Sequence, residues 1–509
     1  MELTDITKKL ERLTDDNPNQ AIKEALQLSG DIYLELLKAA TLVNAGEIVK
    51  NSDAIRTGVE IYRNAVVKYQ DNPALKYNLA NGLHALVRST KDDDTSWSTW
   101  FQWHQETEDS RLEARQYLYV AANAAHASLD IRTQSFTNLG KILKLSHRWV
   151  EAYDFYTLAL KENPRNGVAS HGALEILRGA LHQGLGDHEL LAEEMRYLKK
   201  HVSKNMETTQ AYVGAYGLKC IVDQIKDIHI GDQKRPVNEC GGYESFVVSN
   251  NLTLSLTIHS HKHDPKFWDT INILSVTSGA NGNRSVPEIF AMINILKSDY
   301  ILARQIFFDA SKRLFNETGN YNDTLDYACY GINESALALA QRSALDILDK
   351  VAVATLAYLG VYEAKKTSFK QAWFEKSTKK YKPEILQEIN DGNTALLALT
   401  EIAIDLSINK GGFLSEKQTS RNSSTHRFTV FHDLGKIPTS KSGCLEHFDY
   451  EIFLKEALYT LKLARSSVIY FVQMVLIQEK KHLTEKDKQN IFLTELTVPS
   501  YEDIHRYNE

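Results

Sequence analysis

The sequence predicts an all-α protein: an N-terminal solenoid of helical hairpins followed by a C-terminal helical bundle. Apolar residues recur at helical spacing over most of the 509 residues, the first 205 residues contain hairpin units, and four long helical patterns follow Ser298. The net charge of −6 and the charged fraction of 24% are ordinary for a globular protein. Because there is no global basic field, any contact with RNA must come from a local patch.

The clearest hairpin runs from Phe136 to Pro164. Small residues, Gly140 and Ala152, stand where the two paired helices approach closely, and Pro164 ends the second helix. This spacing matches the 34-residue tetratricopeptide pattern. We therefore expect residues 1–205 to form a tetratricopeptide-like repeat array whose groove binds a protein or peptide partner.

Other parts of the array are less regular. Asp53–Asn72 is expected to be the second helix of a degenerate repeat, and Gly167–Val202 a last or capping pair. Lys91–Ser110 is predicted to be an inserted acidic loop that contains three Trp and one Phe. Those aromatic residues either mark a partner-binding face or pack under the loop as a satellite cluster.

Residues 206–295 are predicted to be an irregular connector that packs on both flanks. Tyr243–Leu256 is either extended or lies over the helices, and Gly279–Asn283 is a turn or loop. Residues 296–509 are predicted to form a helical bundle, which buries apolar stripes that recur at helical spacing. Its four strong helices are expected at Tyr300–Phe315, Glu334–Glu363, Pro383–Asn409 and Phe448–Lys480.

The candidate catalytic residues are Arg421, Asn422 and His426, which lie within six residues of one another. A guanidinium holds an anionic phosphate as a planar, permanently charged fork, and an imidazole moves a proton near neutral pH. Residues five apart on an ideal helix are separated by about 140° around its axis. Arg421 and His426 therefore do not stack on one helical face, and a two-fold dimer that pools residues from two chains would solve this.

Several blocks of the C-terminal half, in order, resemble the HEPN superfamily, and within it a bacterial subfamily that carries tetratricopeptide repeats ahead of the bundle. These blocks are Tyr300–Arg304, Ala340–Ala344, Asp346–Ala352, Ser368–Trp373, Arg421–Phe428 and Leu463–Arg465. The resemblance implies a metal-independent ribonuclease, without a cofactor, whose Arg-x4–6-His motif sits at a homodimer interface. It implies that Arg421 and His426 are catalytic and that Asn422 is the polar residue after the Arg. Ser423-Ser424-Thr425 departs from the apolar residue that is more usual there.

From these residues we expect RNA cleavage through the ribose 2′-OH. The family resemblance, rather than any residue pattern, implies a defence or toxin-type system, in which the array would control the nuclease. A basic segment with interleaved rings, Trp373, Phe374 and Tyr381, suits single-stranded RNA. The residues expected to contact RNA are Lys376, Lys379, Lys380, Lys382 and Arg427.

Other interpretations of the chain stay open. The whole protein could be a non-catalytic adaptor that dimerises through the bundle. His432-Asp433 resembles the dipeptide of HD-type metal phosphohydrolases, but no His lies between His263 and His426 to complete that site.

Two smaller clusters have an ordinary explanation as well as a functional one. His259, His261 and His263 alternate and could bind a metal, although such runs are more often solvated loops. Arg342 and Asp349, seven residues apart, are expected to form a buried or interfacial ion pair.

The four Cys are far apart and show no zinc spacing, which predicts reduced thiols in a cytoplasmic protein. The first residues show no basic and apolar pattern of a signal peptide. The longest apolar run, Val468–Ile477, is too short to span a bilayer, so no membrane partner is expected.

Overall fold

The computed structural model describes most of the chain. The described residues are 3–91, 94, 96–186, 188–226, 241–255, 268–279, 288–361, 367–378, 380–407, 410–415, 428–434, 437, 444–489 and 493–497. Helices account for 72% of the structure, which confirms the all-α prediction.

The helices and strands follow one another along the chain in this order. The first twelve helices are α1 (Leu3–Asp16), α2 (Pro18–Leu26), α3 (Ile32–Ile48), α4 (Ser52–Lys68), α5 (Pro73–Ser89), α6 (Trp97–Glu106), α7 (Glu108–Asn123), α8 (Leu129–Leu145), α9 (Trp149–Glu162), α10 (Gly167–His182), α11 (His188–Lys204) and α12 (Met206–Lys226). The later elements are α13 (Gly242–Ser249), β1 (Ser275–Gly279), α14 (Glu288–Ser311), β2 (Ala328–Cys329), α15 (Ile332–Tyr358), α16 (Pro383–Asn390), α17 (Thr394–Asp405), β3 (Phe428–His432), β4 (Leu445–Asp449), α18 (Tyr450–Gln489) and β5 (Leu493–Thr497).

The chain divides into two compact units. The first comprises residues 1–178, 195–230 and 404–415, and the second comprises residues 179–194, 231–403 and 416–509. The predicted boundaries at 205/206 and 295/296 stay predictions.

Side-chain caps start many of the N-terminal helices. An Asn, Asp or Ser before the helix accepts a hydrogen bond from a backbone N–H of the first turn, which satisfies a donor that has no partner inside the helix. These capping residues are Asn17, Asp31, Asn51, Asn72, Ser96 and Ser128. The caps explain why the hairpins begin at these positions.

The N-terminal helices pack on near neighbours in the chain, α2 on α3, α3 on α4, α4 on α5, α5 on α7, α7 on α8 and α8 on α9. Tyr156 of α9 is buried against two glycines, Gly140 of α8 and Gly172 of α10. A Cβ atom on Gly140 would lie 2.7 Å from the Tyr156 ring. The small residue therefore permits the close helix approach that the sequence predicts. The tetratricopeptide assignment itself stays a prediction, which this hairpin packing supports.

The predicted loop Lys91–Ser110 is wrong, because most of it is helical. Ser96 caps α6, and two of its aromatic side chains, Phe101 and Trp103, are buried. Trp103 donates a hydrogen bond from Nε1 to the Val87 carbonyl oxygen at 3.2 Å. These two rings therefore pack in the unit, as the satellite-cluster alternative expected.

The second unit is built around α18, which packs against α14 and α15. By length and composition Tyr450–Thr484 could cross a membrane, but 89% of its most apolar window is buried inside the protein. A buried core helix passes the same test, so this finding is weak evidence for a membrane span.

The structure decides between the two alternatives for Tyr243–Leu256 and corrects one predicted helix. Residues 242–249 are helical and α13 lies over α14, as the second alternative expected, with the rings of Phe246 and Phe307 stacked at 5.8 Å. The predicted helix Pro383–Asn409 is broken at Gly392, which has φ +92°. Asn393 then caps α17 and donates a hydrogen bond to the Met474 carbonyl oxygen of α18 at 3.2 Å.

Short strands, which the sequence analysis missed, edge the bundle. β1 pairs antiparallel with β5. β3 lies between β2, which is antiparallel to it, and β4, which is parallel to it. Phe431 of β3 packs against Phe453 of α18, with ring centroids 4.7 Å apart. This contact attaches the three-stranded sheet to the bundle.

Candidate active site

The predicted catalytic residues Arg421, Asn422 and His426 lie outside the described residues, as does Arg427. We call residues 416–427 the motif segment. The described chain resumes at Phe428, the first residue of β3. What the structure describes is therefore the chain on either side of the motif segment.

A groove of about 260 Å³ lies between α15 and the strands β2 and β3. One wall is a stripe of α15, because its lining residues Glu334, Ser335, Ala338, Leu339 and Arg342 follow the helical period. The other wall includes Phe428, Thr429 and Phe431 of β3. Phe428, which lines the groove, is therefore the residue that directly follows the motif segment in the sequence.

Arg342 is the cation of this groove, and the predicted ion pair with Asp349 is not formed within the described chain. Asp349 instead accepts a hydrogen bond from the backbone N–H of Phe369 at 2.8 Å. Among the described residues, Arg342 has no hydrogen bond or ion pair. Seven residues place two side chains on the same helical face two turns apart, so the pattern alone was a weak predictor of contact.

The other charged groups at the groove are already paired. Arg313 donates from Nη1 to Glu334 Oε1 at 2.9 Å, and its Nη2 lies 3.8 Å from Asp433 Oδ2. Burial, together with the neighbouring Asp433, raises the pKa of Cys329 to about 11. The Cys329 thiol is therefore protonated at neutral pH and is not an activated nucleophile.

His432, the residue of the HD-type interpretation, is buried within a pair of imidazoles. Its Nδ1 lies 3.1 Å from the Asp326 carbonyl oxygen, and its Nε2 lies 2.9 Å from His447 Nδ1. Because a carbonyl only accepts, His432 carries its proton on Nδ1, and its Nε2 accepts from His447. Alternation along β3 places His432 on the face opposite Phe431, which lines the groove.

No group of three or more His, Cys, Asp or Glu in the described part of the chain could hold a metal ion. The described residues around His432 therefore do not form the metal site that the HD-type alternative needs. His259, His261 and His263 lie outside the described residues.

Within the basic segment, Phe374 and Tyr381 form an antiparallel bridge, and their rings lie 5.1 Å apart. Lys376 and Lys380 are exposed and Lys382 is half-buried, while Lys379 lies outside the described residues. Trp373 is fully buried, so its predicted role as a stacking ring is wrong. The Trp373 ring is instead buried in the bundle, where it packs edge-on against the Phe369 ring.

A buried charge cluster lies in the first unit, at the end of α17. Asp405, Arg115 and Arg148 are all fully buried. The Asp405 carboxylate accepts from Arg115 Nε at 3.0 Å and from Arg148. Arg148 also forms a bidentate pair with Glu151, and burial raises the pKa of Glu151 although Arg148 acts to lower it.

Residues 404–415 are fixed in the first unit by apolar contacts as well. Leu414 is fully buried, and its backbone N–H donates to the Asp405 carbonyl oxygen at 3.2 Å. The Phe413 ring lies 5.6 Å below the Arg148 guanidinium and 5.2 Å from the Tyr119 ring. The stretch that directly precedes the motif segment is therefore held by the helices of the predicted array.

The geometry defines the second unit as a helical bundle with two small sheets and a groove that contains Arg342. Residues 280–479 match the family described as LA2681-like HEPN. This match supports the resemblance of the C-terminal half to the HEPN superfamily, whereas the tetratricopeptide repeats of that resemblance stay a prediction. The search of curated proteins found no match.

HEPN domains are generally ribonucleases, typically bind RNA and often dimerise. The matched span contains the groove and the whole motif segment. Sequence reasoning missed the groove, although Glu334, Ser335, Ala338 and Arg342 already repeat at helical spacing. The sequence pattern does not show the second wall of the groove, because β3 is about 90 residues away along the chain.

Proposed function

We propose that this protein is a metal-independent endoribonuclease. One observation carries the proposal: an Arg-x4-His motif lies inside the matched HEPN span and is followed along the chain by Phe428, which lines a groove whose Arg342 has no partner among the described residues. His426 precedes Phe428 by two residues, and two residues of chain span at most about 7 Å. The proton-transfer group is therefore tethered close to the groove.

The proposed reaction is transesterification within the RNA strand. His426 removes the proton of the ribose 2′-OH, the 2′-oxygen forms a bond to phosphorus, and the bond to the 5′-oxygen breaks. Arg421 stabilises the dianionic phosphorane, and Asn422 orients His426 or binds a non-bridging oxygen. A second imidazole, His426 of the other chain in a two-fold dimer, protonates the leaving 5′-oxygen. The products carry a 2′,3′-cyclic phosphate and a 5′-OH.

In this proposal the N-terminal array controls the nuclease. Residues 404–415 directly precede the motif segment and are part of the first unit. Asp405 joins them to Arg115 and Arg148, which lie on α7 and α9. A partner that changes the packing of these helices would act on the chain leading to Arg421. A defence or toxin-type role in the cytoplasm accords with a ribonuclease that needs such control.

Cleavage of a labelled RNA in EDTA tests the proposed activity. We expect the wild type to produce cyclic phosphate ends, and His426→Ala and Arg421→Ala each to lower the rate at least a hundredfold. His188→Ala, which removes an exposed imidazole from α11, is the matched control and should cleave normally. RNA with 2′-O-methyl groups should be inert. A requirement for divalent ions contradicts the proposal, and so does full activity of the variant that carries both His426→Ala and Arg421→Ala. A wild-type dimer that does not cleave RNA favours the adaptor.

A further inference from the structure

The groove beside the motif segment combines aromatic and cationic groups that a nucleotide could use. Phe428 is 71% exposed and Tyr330 is 40% exposed, and both line the groove. Nucleobases stack on exposed aromatic rings of this kind. Phe428 makes no ring contact within the part of the chain that the structure describes.

One side chain that lines the groove can bind an anion. Glu334 is paired with Arg313, whereas the half-buried guanidinium of Arg342 has no acceptor among the described residues. A guanidinium that is partly removed from water can hold a phosphate through two parallel hydrogen bonds. A ligand phosphate can supply that acceptor.

The size of the groove limits the ligand. Its volume of about 260 Å³ is just below the range of about 300–1,000 Å³ for pockets that enclose a drug-sized ligand. This space suits one nucleotide rather than a folded RNA element.

We propose that the groove between α15 and β3 is a subsite for one nucleotide of the RNA strand. The base stacks on Phe428 beside Tyr330, and Arg342 holds the adjacent phosphate. This inference rests on the proposed ribonuclease function, because that function makes a single RNA strand the ligand. It assigns Phe428 and Arg342 to substrate binding and leaves proton transfer to His426.

Binding to an uncleavable RNA separates the two ideas. A fluorescent 2′-O-methyl hexanucleotide is titrated against the full-length His426→Ala protein at several salt concentrations. In that background we expect Phe428→Ala to weaken binding about tenfold or more. Arg342→Ala should weaken binding and reduce the slope of log K against log[salt] by about 0.7, the value for one phosphate contact with a single strand. Arg342→Lys should keep most of that slope.

Two surface variants control for nonspecific effects. Leu434→Ala removes a side chain that is 67% exposed just after β3, and Lys455→Ala removes an exposed positive charge from α18. Both should bind as the parent does, and all variants should keep the parent's melting temperature.

The possible results distinguish the subsite from the proposed activity. Unchanged affinity and salt slope in both groove variants overturn the subsite even if the wild type cleaves RNA. Groove-dependent binding without any cleavage by the wild type upholds the subsite and contradicts the ribonuclease. Displacement of the RNA probe by a poly-glutamate peptide at equal concentration shows that the groove recognises acidic peptides, which overturns its assignment to RNA.

Discussion

The buried carboxylate of Asp405 is the perturbation with the largest expected effect. Removing one partner of a buried ion pair costs about 3–5 kcal/mol, because the remaining charge is left without compensation. Asp405→Asn keeps the size of the side chain and removes its charge, which leaves Arg115 and Arg148 facing a neutral amide. Arg148 keeps its bidentate partner Glu151. The expected cost is therefore at the lower end, about 3 kcal/mol.

This cost should fall mainly on residues 404–415 rather than on the whole protein. A loss of about 3 kcal/mol raises the population of the detached state of this stretch by about a hundredfold. Hydrogen exchange measured by mass spectrometry should show correspondingly faster exchange in peptides that cover these residues. If the array restrains the motif segment, the rate of RNA cleavage by Asp405→Asn changes as well.

Matched variants identify the source of the effect. Lys410→Ala breaks the more exposed pair with Glu108, which should cost less than about 1 kcal/mol. A double-mutant cycle between Asp405→Leu and Arg115→Met should give a coupling of about 1–3 kcal/mol. Exchange in residues 404–415 within twofold of the wild type, with no coupling, refutes the reasoning. Faster hydrogen exchange with an unchanged cleavage rate supports the role of Asp405 in holding residues 404–415 but contradicts a regulatory role for this contact.

Three further predictions concern packing and titration. Gly140→Ala should destabilise the protein by about 1–3 kcal/mol because its methyl group would overlap the neighbouring tyrosine ring. Gly179→Ala, which has open space around it, should instead stabilise the protein by up to about 1 kcal/mol. Equal melting temperatures of the two variants would contradict this. Burial lowers the pKa of Lys141 to about 8. The charged form therefore destabilises the folded protein below that pH. The free energy of unfolding of the wild type, relative to that of Lys141→Met, should rise by about 1.4 kcal/mol per pH unit from about pH 8 to 10 in chemical denaturation. A flat difference would show that Lys141 keeps its ordinary pKa. Iodoacetamide at pH 8 should alkylate Cys329 at least tenfold more slowly than the exposed Cys444; similar rates by mass spectrometry would be inconsistent with the raised pKa.

Local patterns predicted the helical parts of the fold well. The stripe and small residues of Phe136–Pro164 located α8 and α9, because such a pattern depends only on the helical period. The Trp-rich stretch at 97–106 was predicted to be a loop because acidic residues surround it, and the helix cap at Ser96 was overlooked. The break at Gly392 was missed since a single Gly inside an apolar pattern is tolerated in many helices.

The strands were missed for a different reason. β2 has two residues and β3 has five, which is too short for a period of two to stand out from the helical background. Their pairing joins Cys329 to Phe431, about a hundred residues apart in sequence. Contacts at this range leave no trace in local composition, so the groove and its second wall could not be predicted.

The sequence by itself determined the helical class, the hairpin array, the HEPN resemblance and the identity of Arg421, Asn422 and His426 as candidate catalytic residues. Only the tertiary structure decided which charges are paired. Among the described residues it gives Arg342 no partner in the groove that Phe428 also lines, and it buries Asp405 between Arg115 and Arg148. The physical reason is that helical periodicity is a local property, whereas the free energy of a charge depends on its burial and on partners brought together by the folded chain.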